Sequence, residues 1–134
     1  MRLSEAIRLG AMATPQASMG YMDGEGHCAI AGACVAVGID GVMSVIEQRL
    51  IINYEAAQKR WPILGSGINC PACSDSYHAD STLMMTLWRL NDEHRWTRER
   101  IADWLEAIEQ RSDDTRTCDA VGLSHESPVA VNAR

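Results

Sequence analysis

The sequence predicts a mainly α protein: one helical domain of four to five helices, a loop carrying a Cys-x-x-Cys pair, and a flexible C-terminal tail. Three observations carry this. Apolar residues recur at three- and four-residue steps over several segments. A run of small apolar residues, "CAIAGACVAVG" at 28–38, has the composition of a buried, closely packed helix. Beyond Arg111 the chain turns polar and loses its period. A length of 134 residues suits one core rather than two. Residues 1–110 are therefore expected to form the domain and 111–134 a mobile tail.

Residues 4–13 begin the helical pattern. Leu3, Ile7 and Ala11 share a face, Ser4 is the expected cap, and Glu5 suits the positive end of the dipole. Thr14-Pro15 stops the helix. Residues 16–27 are a Gly-rich loop. The helix at 28–37 follows, ending at Gly38 in the position that favours glycine. Residues 42–60 read as a longer helix through Val42, Ile46, Leu50, Tyr54, Ala57 and Trp61. Its "RLIINY" segment is β-branched enough to keep a strand open as the alternative. Pro62 and "GSG" at 65–67 end that element.

The loop "NCPACSDSYH" comes next. After it, Asp80 or Ser81 is expected to cap a helix reaching Asp92, with Leu83, Leu87, Leu90 and His94 along one stripe and Met84, Trp88 and Asn91 beside it. Thr97 caps the last helix, "RERIADWLEAIEQ". There Ile101, Trp104, Leu105 and Ile108 give the clearest amphipathic pattern in the chain. With no Phe, four Trp and seven Met are expected to supply much of the bulky core.

Charge and composition narrow the function classes. A net charge of −6 opposes binding to nucleic-acid phosphates, so nucleic acid is not an expected partner. No run approaches the ~20 apolar residues of a membrane span, and the first residues lack the apolar core of a secretory signal. The cytoplasm is the expected compartment, and its five cysteines are expected to be reduced. A single basic residue, Lys59, is lysine, an arginine bias that fits a GC-rich coding genome.

Cys70 and Cys73 are the leading chemical feature. Two thiolates at this spacing can face one metal, which is why structural zinc sites reuse it. The pair supplies two ligands, and His78 and His94 are the chosen partners, with Cys28, Cys34 and His27 as further candidates. Zn²⁺ is the only cofactor the sequence suggests. Two other readings stand beside it, a redox dithiol and two thiols in a tight Pro-containing turn.

Cys28 is a candidate nucleophile, because a helix N-terminus can lower a thiol pKa and "NDEH" at 91–94 offers orienting groups. Against it, "CAIAGAC" reads as packing. The corner at 81–110 also has the outline of a helix-turn-helix pair, but Glu99, Asp103, Glu106 and Glu109 offset Arg98 and Arg100. Asn91, Asp92 and Thr97 read more simply as groups that satisfy the backbone of a tight corner. No P-loop, GxGxxG, HExxH or GxSxG is present.

"LSEAIRLGAM" with "PQ", "CAIAGACVAVG", "CPAC" and "LNDEHRWTRERIADWLE" together resemble a group of small uncharacterised bacterial and phage proteins. These carry a CAxGAAxxAxG helix and an LNDxHxWTRExIADWL corner. The resemblance covers about residues 3–110. The chain departs from the pattern at "CAIAGAC". The resemblance implies a bacterial or phage origin and one compact domain, and it brings no catalytic residue. The expected function is that of a non-enzymatic binding or accessory protein acting on an unidentified protein partner. A thiol- or metal-dependent enzyme and a DNA-binding regulator are its competitors.

Overall fold

A computed structural model describes residues 1–73 and 81–124, with side chains as far as Asp114. Within them the protein is mainly helical, as expected. Five α-helices are present: α1 (Leu3–Ala13), α2 (Ala29–Val37), α3 (Tyr54–Arg60), α4 (Leu83–Asp92) and α5 (Arg98–Ser124). A two-stranded antiparallel hairpin, β1 (Val42–Ser44) and β2 (Arg49–Ile51), lies between α2 and α3. A 3₁₀ turn spans Pro62–Gly65.

Helix α1 starts one residue earlier than its sequence suggests. Its cap is Arg2, whose backbone N–H donates to Glu5 Oε1 at 2.7 Å. Ser4 is not the cap. It is buried in the first turn, and its hydroxyl donates to Glu109 Oε1 of α5 at 2.5 Å. Helix α2 ends at Gly38 as expected, with φ at 79° and the Gly38 N–H returned to the α2 carbonyls. Helices α1 and α2 pack backbone to backbone. A Cβ placed on Gly10 would lie 2.4 Å from the Gly32 carbonyl carbon, so only glycine allows this approach.

Residues 42–60 are not one helix. Only 54–60 are helical, capped by the Asn53 side chain. The strand alternative holds for Arg49–Ile51, which pairs with Val42–Ser44. Gln48, with φ at 54°, closes the turn between them. β-Branched Val and Ile gain little in a helix and pack well on a pleated surface. The Gly-rich loop decides the matter from outside. Gly20 O accepts from Ile52 N, and Met22 N donates to Leu50 O, so β2 is bonded on both edges.

Thr82, rather than Asp80 or Ser81, caps α4 through its hydroxyl, which accepts from Met85 N at 3.3 Å. Asp80 lies outside the described residues. Thr97 caps α5 as expected, its Oγ1 accepting from Arg100 N at 3.1 Å. The loss of period at Arg111 does not end α5, which continues to Ser124. Adding a helical residue costs little once a helix exists, and an Arg2–Asp113 ion pair ties this extension to α1. Residues 125–134, the rest of the expected tail, lie outside the described residues.

The core is built of Leu, Ile and Ala rather than Met and Trp. Leu3, Ile7, Ile52, Leu64, Leu83, Leu87, Leu90, Ile101 and Leu105 are its fully buried large side chains. Trp61 is buried, but Trp88 and five methionines keep large exposed areas. Close α1–α2 packing explains the difference, since two backbones in contact leave less volume for bulky groups to fill. Among the described residues, no helix is long and apolar enough to cross a membrane.

Candidate metal centre

The CxxC loop is closed at its base. Ile68 N donates to Ser81 O and Leu83 N to Ser66 O, both at 2.8 Å, so the chain leaves and re-enters beside the start of α4. Cys70 is buried and Cys73 half-buried against the core. At the other end of α4 the backbone wraps back on itself. Glu93 N and His94 N both donate to Arg89 O, Trp96 N donates to Leu90 O, and Arg95 takes a left-handed φ of 56°. That stop aims His94 back towards the loop.

The result is a three-ligand cluster. Ligand atoms of Cys70, Cys73 and His94 all lie within 4.8 Å of one another. Cys73 Sγ and His94 Nε2 are 3.1 Å apart. In a tetrahedral zinc site, bond lengths near 2.3 Å to sulfur and 2.0–2.1 Å to nitrogen put such atoms about 3.6–3.8 Å apart. The Cys73–His94 separation lies just inside that spacing and the others are at most 4.8 Å, so side-chain adjustments of about 1 Å seat an ion.

Arg89 stands next to the cluster. It is buried, and its Nη1 donates to Ser81 Oγ at 2.5 Å. The Cys70 hydrogen bond and partial desolvation push the Cys73 thiol up, while the Arg89 charge pulls it down. Arg89 was not legible as part of this site, since the sequence gives no sign that position 89 faces Cys73.

Of the ligands expected from sequence, Cys70, Cys73 and His94 come together. His78 lies outside the described residues. Cys28, Cys34 and His27 sit elsewhere, at the α1–α2 side of the core. His27 Nδ1 is 2.9 Å from Thr14 Oγ1. Cys28, Cys34, Cys70 and Cys73 are all free thiols.

Cys28 does cap a helix N-terminus, accepting from Ala31 N at 3.4 Å. Burial nevertheless pushes its thiol up, outweighing that hydrogen bond. The depressed pKa that a nucleophilic cysteine needs is not there. Asn91 of "NDEH" serves the backbone instead. Its Oδ1 accepts from Gln16 Nε2 and Ala29 N, and its Nδ2 donates to Ala17 O and Asp92 Oδ1.

The α4–α5 corner places its two arginines differently from a DNA reader. Arg98 is buried, and its guanidinium donates to the carbonyls of Thr14 at 2.5 Å and His27 at 3.3 Å. Arg100 stacks on the Trp96 ring at 3.8 Å. Arg98 is buried, so it cannot reach a phosphate without opening the core.

A cavity of about 340 Å³ lies on another face, between α2, α3, α4, Met19 of the Gly-rich loop and Ile52 just after β2. Its wall includes Ile30, Ile52, Met84 and Leu87, with Cys28 and Asn91 at the floor. The metal cluster does not line it.

Fold and cluster together define a class: a small, mainly helical domain with a thiol–imidazole cluster held between a pinned loop and an interhelical corner. No protein-family model, curated protein or solved structure matches the chain.

Proposed function

We propose that the protein is a small, non-enzymatic binding and accessory domain of the bacterial or phage type its motifs resemble. It works in the cytoplasm through contacts with another protein, and a zinc ion on Cys70, Cys73 and His94 staples its fold. The observation that carries this reading is the convergence of those three ligand atoms within 4.8 Å. Two ligands come from a loop and the third from the end of the helix that follows it, so an ion there closes a chain segment. This is what structural zinc sites do. The ligands do not line the apolar cavity, and Cys28, which does, is a raised rather than an activated thiol.

Zinc binding to such a set displaces thiol protons and adds its binding free energy to folding. The test is the metal content of protein purified without a metal-binding tag, for wild type, Cys73→Ser and His94→Ala. About one zinc per chain is expected in wild type, with loss in both variants. A strong chelator should lower the melting temperature of wild type by roughly 10 °C. It should leave the variants unmoved. Metal-free wild type, or full zinc retention in both variants, overturns the metal site.

A further inference from the structure

Two of the exposed methionines, Met19 and Met85, gather at one place with the exposed Trp88. Met19, Tyr54, Met85 and Trp88 rim the apolar cavity, and each keeps 41–48% of its surface exposed. Soluble domains seldom leave four large apolar side chains together around a recess without a partner for them. The volume, about 340 Å³, sits at the lower end of small-molecule sites, which run from about 300 Å³ upward. An occupant confined to the cavity would leave the rim in water. A helix laid across the mouth would fill the recess with bulky apolar side chains and cover the rim as well. Methionine suits such a surface because its flexible thioether adapts to the shape of its partner.

The charge around the mouth selects the helix. Asp92 accepts from the Met19 backbone N–H at 2.9 Å. Glu47 is exposed and accepts from Tyr21 Oη at 3.2 Å. The Tyr54 phenol is held above its ordinary range by burial first and then by nearby negative groups, Asp92 and Glu47 among them. Of the basic groups nearby, Arg49 is spent on Asp23 at 2.7 Å, and Arg95 faces the neighbouring polar recess with Gln16 and Ser18. The mouth is therefore apolar with an acidic edge.

We propose that this cavity is a docking site for a basic amphipathic helix of a partner protein. The helix sets its apolar side chains between Trp88, Met85 and Tyr54, and its Lys or Arg residues beside Glu47 and Asp92. The proposal rests on the reading of the protein as a binding domain and names its contact surface. It does not depend on the zinc, which lies outside the cavity.

The test is calorimetric titration with a synthetic Leu/Lys amphipathic helix. Two control peptides accompany it, a Leu/Glu helix of the same pattern and a Ser/Lys peptide of the same charge. The Leu/Lys helix is expected to bind at micromolar Kd and the two controls not to bind. Trp88→Ala should weaken binding about tenfold or more, as loss of a central aromatic anchor does. Glu47→Gln should weaken it severalfold and flatten its salt dependence. Both side chains are exposed, so both variants keep the core. Absence of Leu/Lys binding overturns the proposal, as does equal binding of Ser/Lys or an unchanged Kd in Trp88→Ala. Zinc content of the same samples separates the two readings. Zinc-loaded protein that ignores the peptide removes the docking site alone, whereas metal-free protein that binds it removes the zinc alone.

Discussion

Asn91 shows how much one side chain can hold. Its carboxamide makes four hydrogen bonds, two accepted and two donated, which joins the Gly-rich loop, the start of α2 and the end of α4. Asn91→Asp keeps the shape and loses both donors, setting a carboxylate against the Ala17 carbonyl and the Asp92 carboxylate. It is expected to cost about 2–3 kcal/mol in urea unfolding, because buried partners are left unpaired. The penalty should grow as pH rises through the carboxylate range. A cost below about 0.5 kcal/mol would mean that these bonds are not what fixes the corner. The sequence supported the capping role of Thr97, because polar side chains at helix starts act within a few residues of themselves. Asn91 was expected to serve the backbone of its own corner, but Gln16, Ala17 and Ala29 lie 75, 74 and 62 positions away. Ser4 misled for the same reason. Its partner, Glu109, is 105 positions away, and no local pattern announces that distance.

Elements were legible where their stabilisation is local. Helices α1, α4 and α5 follow from apolar period, though the caps of α1 and α4 and the end of α5 fall elsewhere than expected, and α2 was recognisable as a close-packing helix from its small residues and its stop at Gly38. The hairpin at 42–51 was harder to see. Its strands are three residues each, and what holds β2 in place is a loop some thirty residues earlier. The α1–α2 contact gives the sharpest test at this scale. A methyl on Gly10 would sit 2.4 Å from Gly32 backbone atoms, whereas one on Gly32 would meet Gly10 Cα at 3.5 Å, an ordinary contact. Gly10→Ala is therefore expected to destabilise by about 3 kcal/mol or more, since backbone cannot step aside as a side chain can. Gly32→Ala should be near neutral, with helix propensity returning up to about 1 kcal/mol. Equal costs for the two, measured by thermal or urea unfolding, would show that the helices do not cross as described.

For the molecule as a whole, composition misplaced the bulk. Counting Met and Trp suggested a core made of them, but counts do not give positions, and the α1–α2 contact lets small residues fill the interior. The metal cluster was legible by halves. The spacing of Cys70 and Cys73 nominated the pair, but His94, held at the end of α4 by its N–H bond to Arg89 O, meets it only through the tertiary packing of the loop on that helix.

The same dense interior makes alkaline stability a global readout. Burial pushes the Cys34 thiol up to about 12 and raises the Cys28 thiol as well. In the unfolded chain such thiols ionise from about pH 8.5. Between those values the folded state holds more protons than the unfolded one. Stability contributed by the buried thiol is thus complete below about pH 8.5 and is lost as pH rises towards 12. The loss approaches 1.4 kcal/mol per pH unit for each thiol once the two states differ by a whole proton. Cys34→Ala removes one such group. The stability advantage of wild type over Cys34→Ala should therefore shrink between pH 8.5 and pH 11, by about 2–3 kcal/mol in urea unfolding. Comparing the two proteins at each pH cancels the titration of groups that do not interact with Cys34, which leaves its coupling to Cys28 as part of the difference. A difference that stays constant over that range would mean that Cys34 ionises as readily in the fold as out of it, which a fully buried thiol does not do.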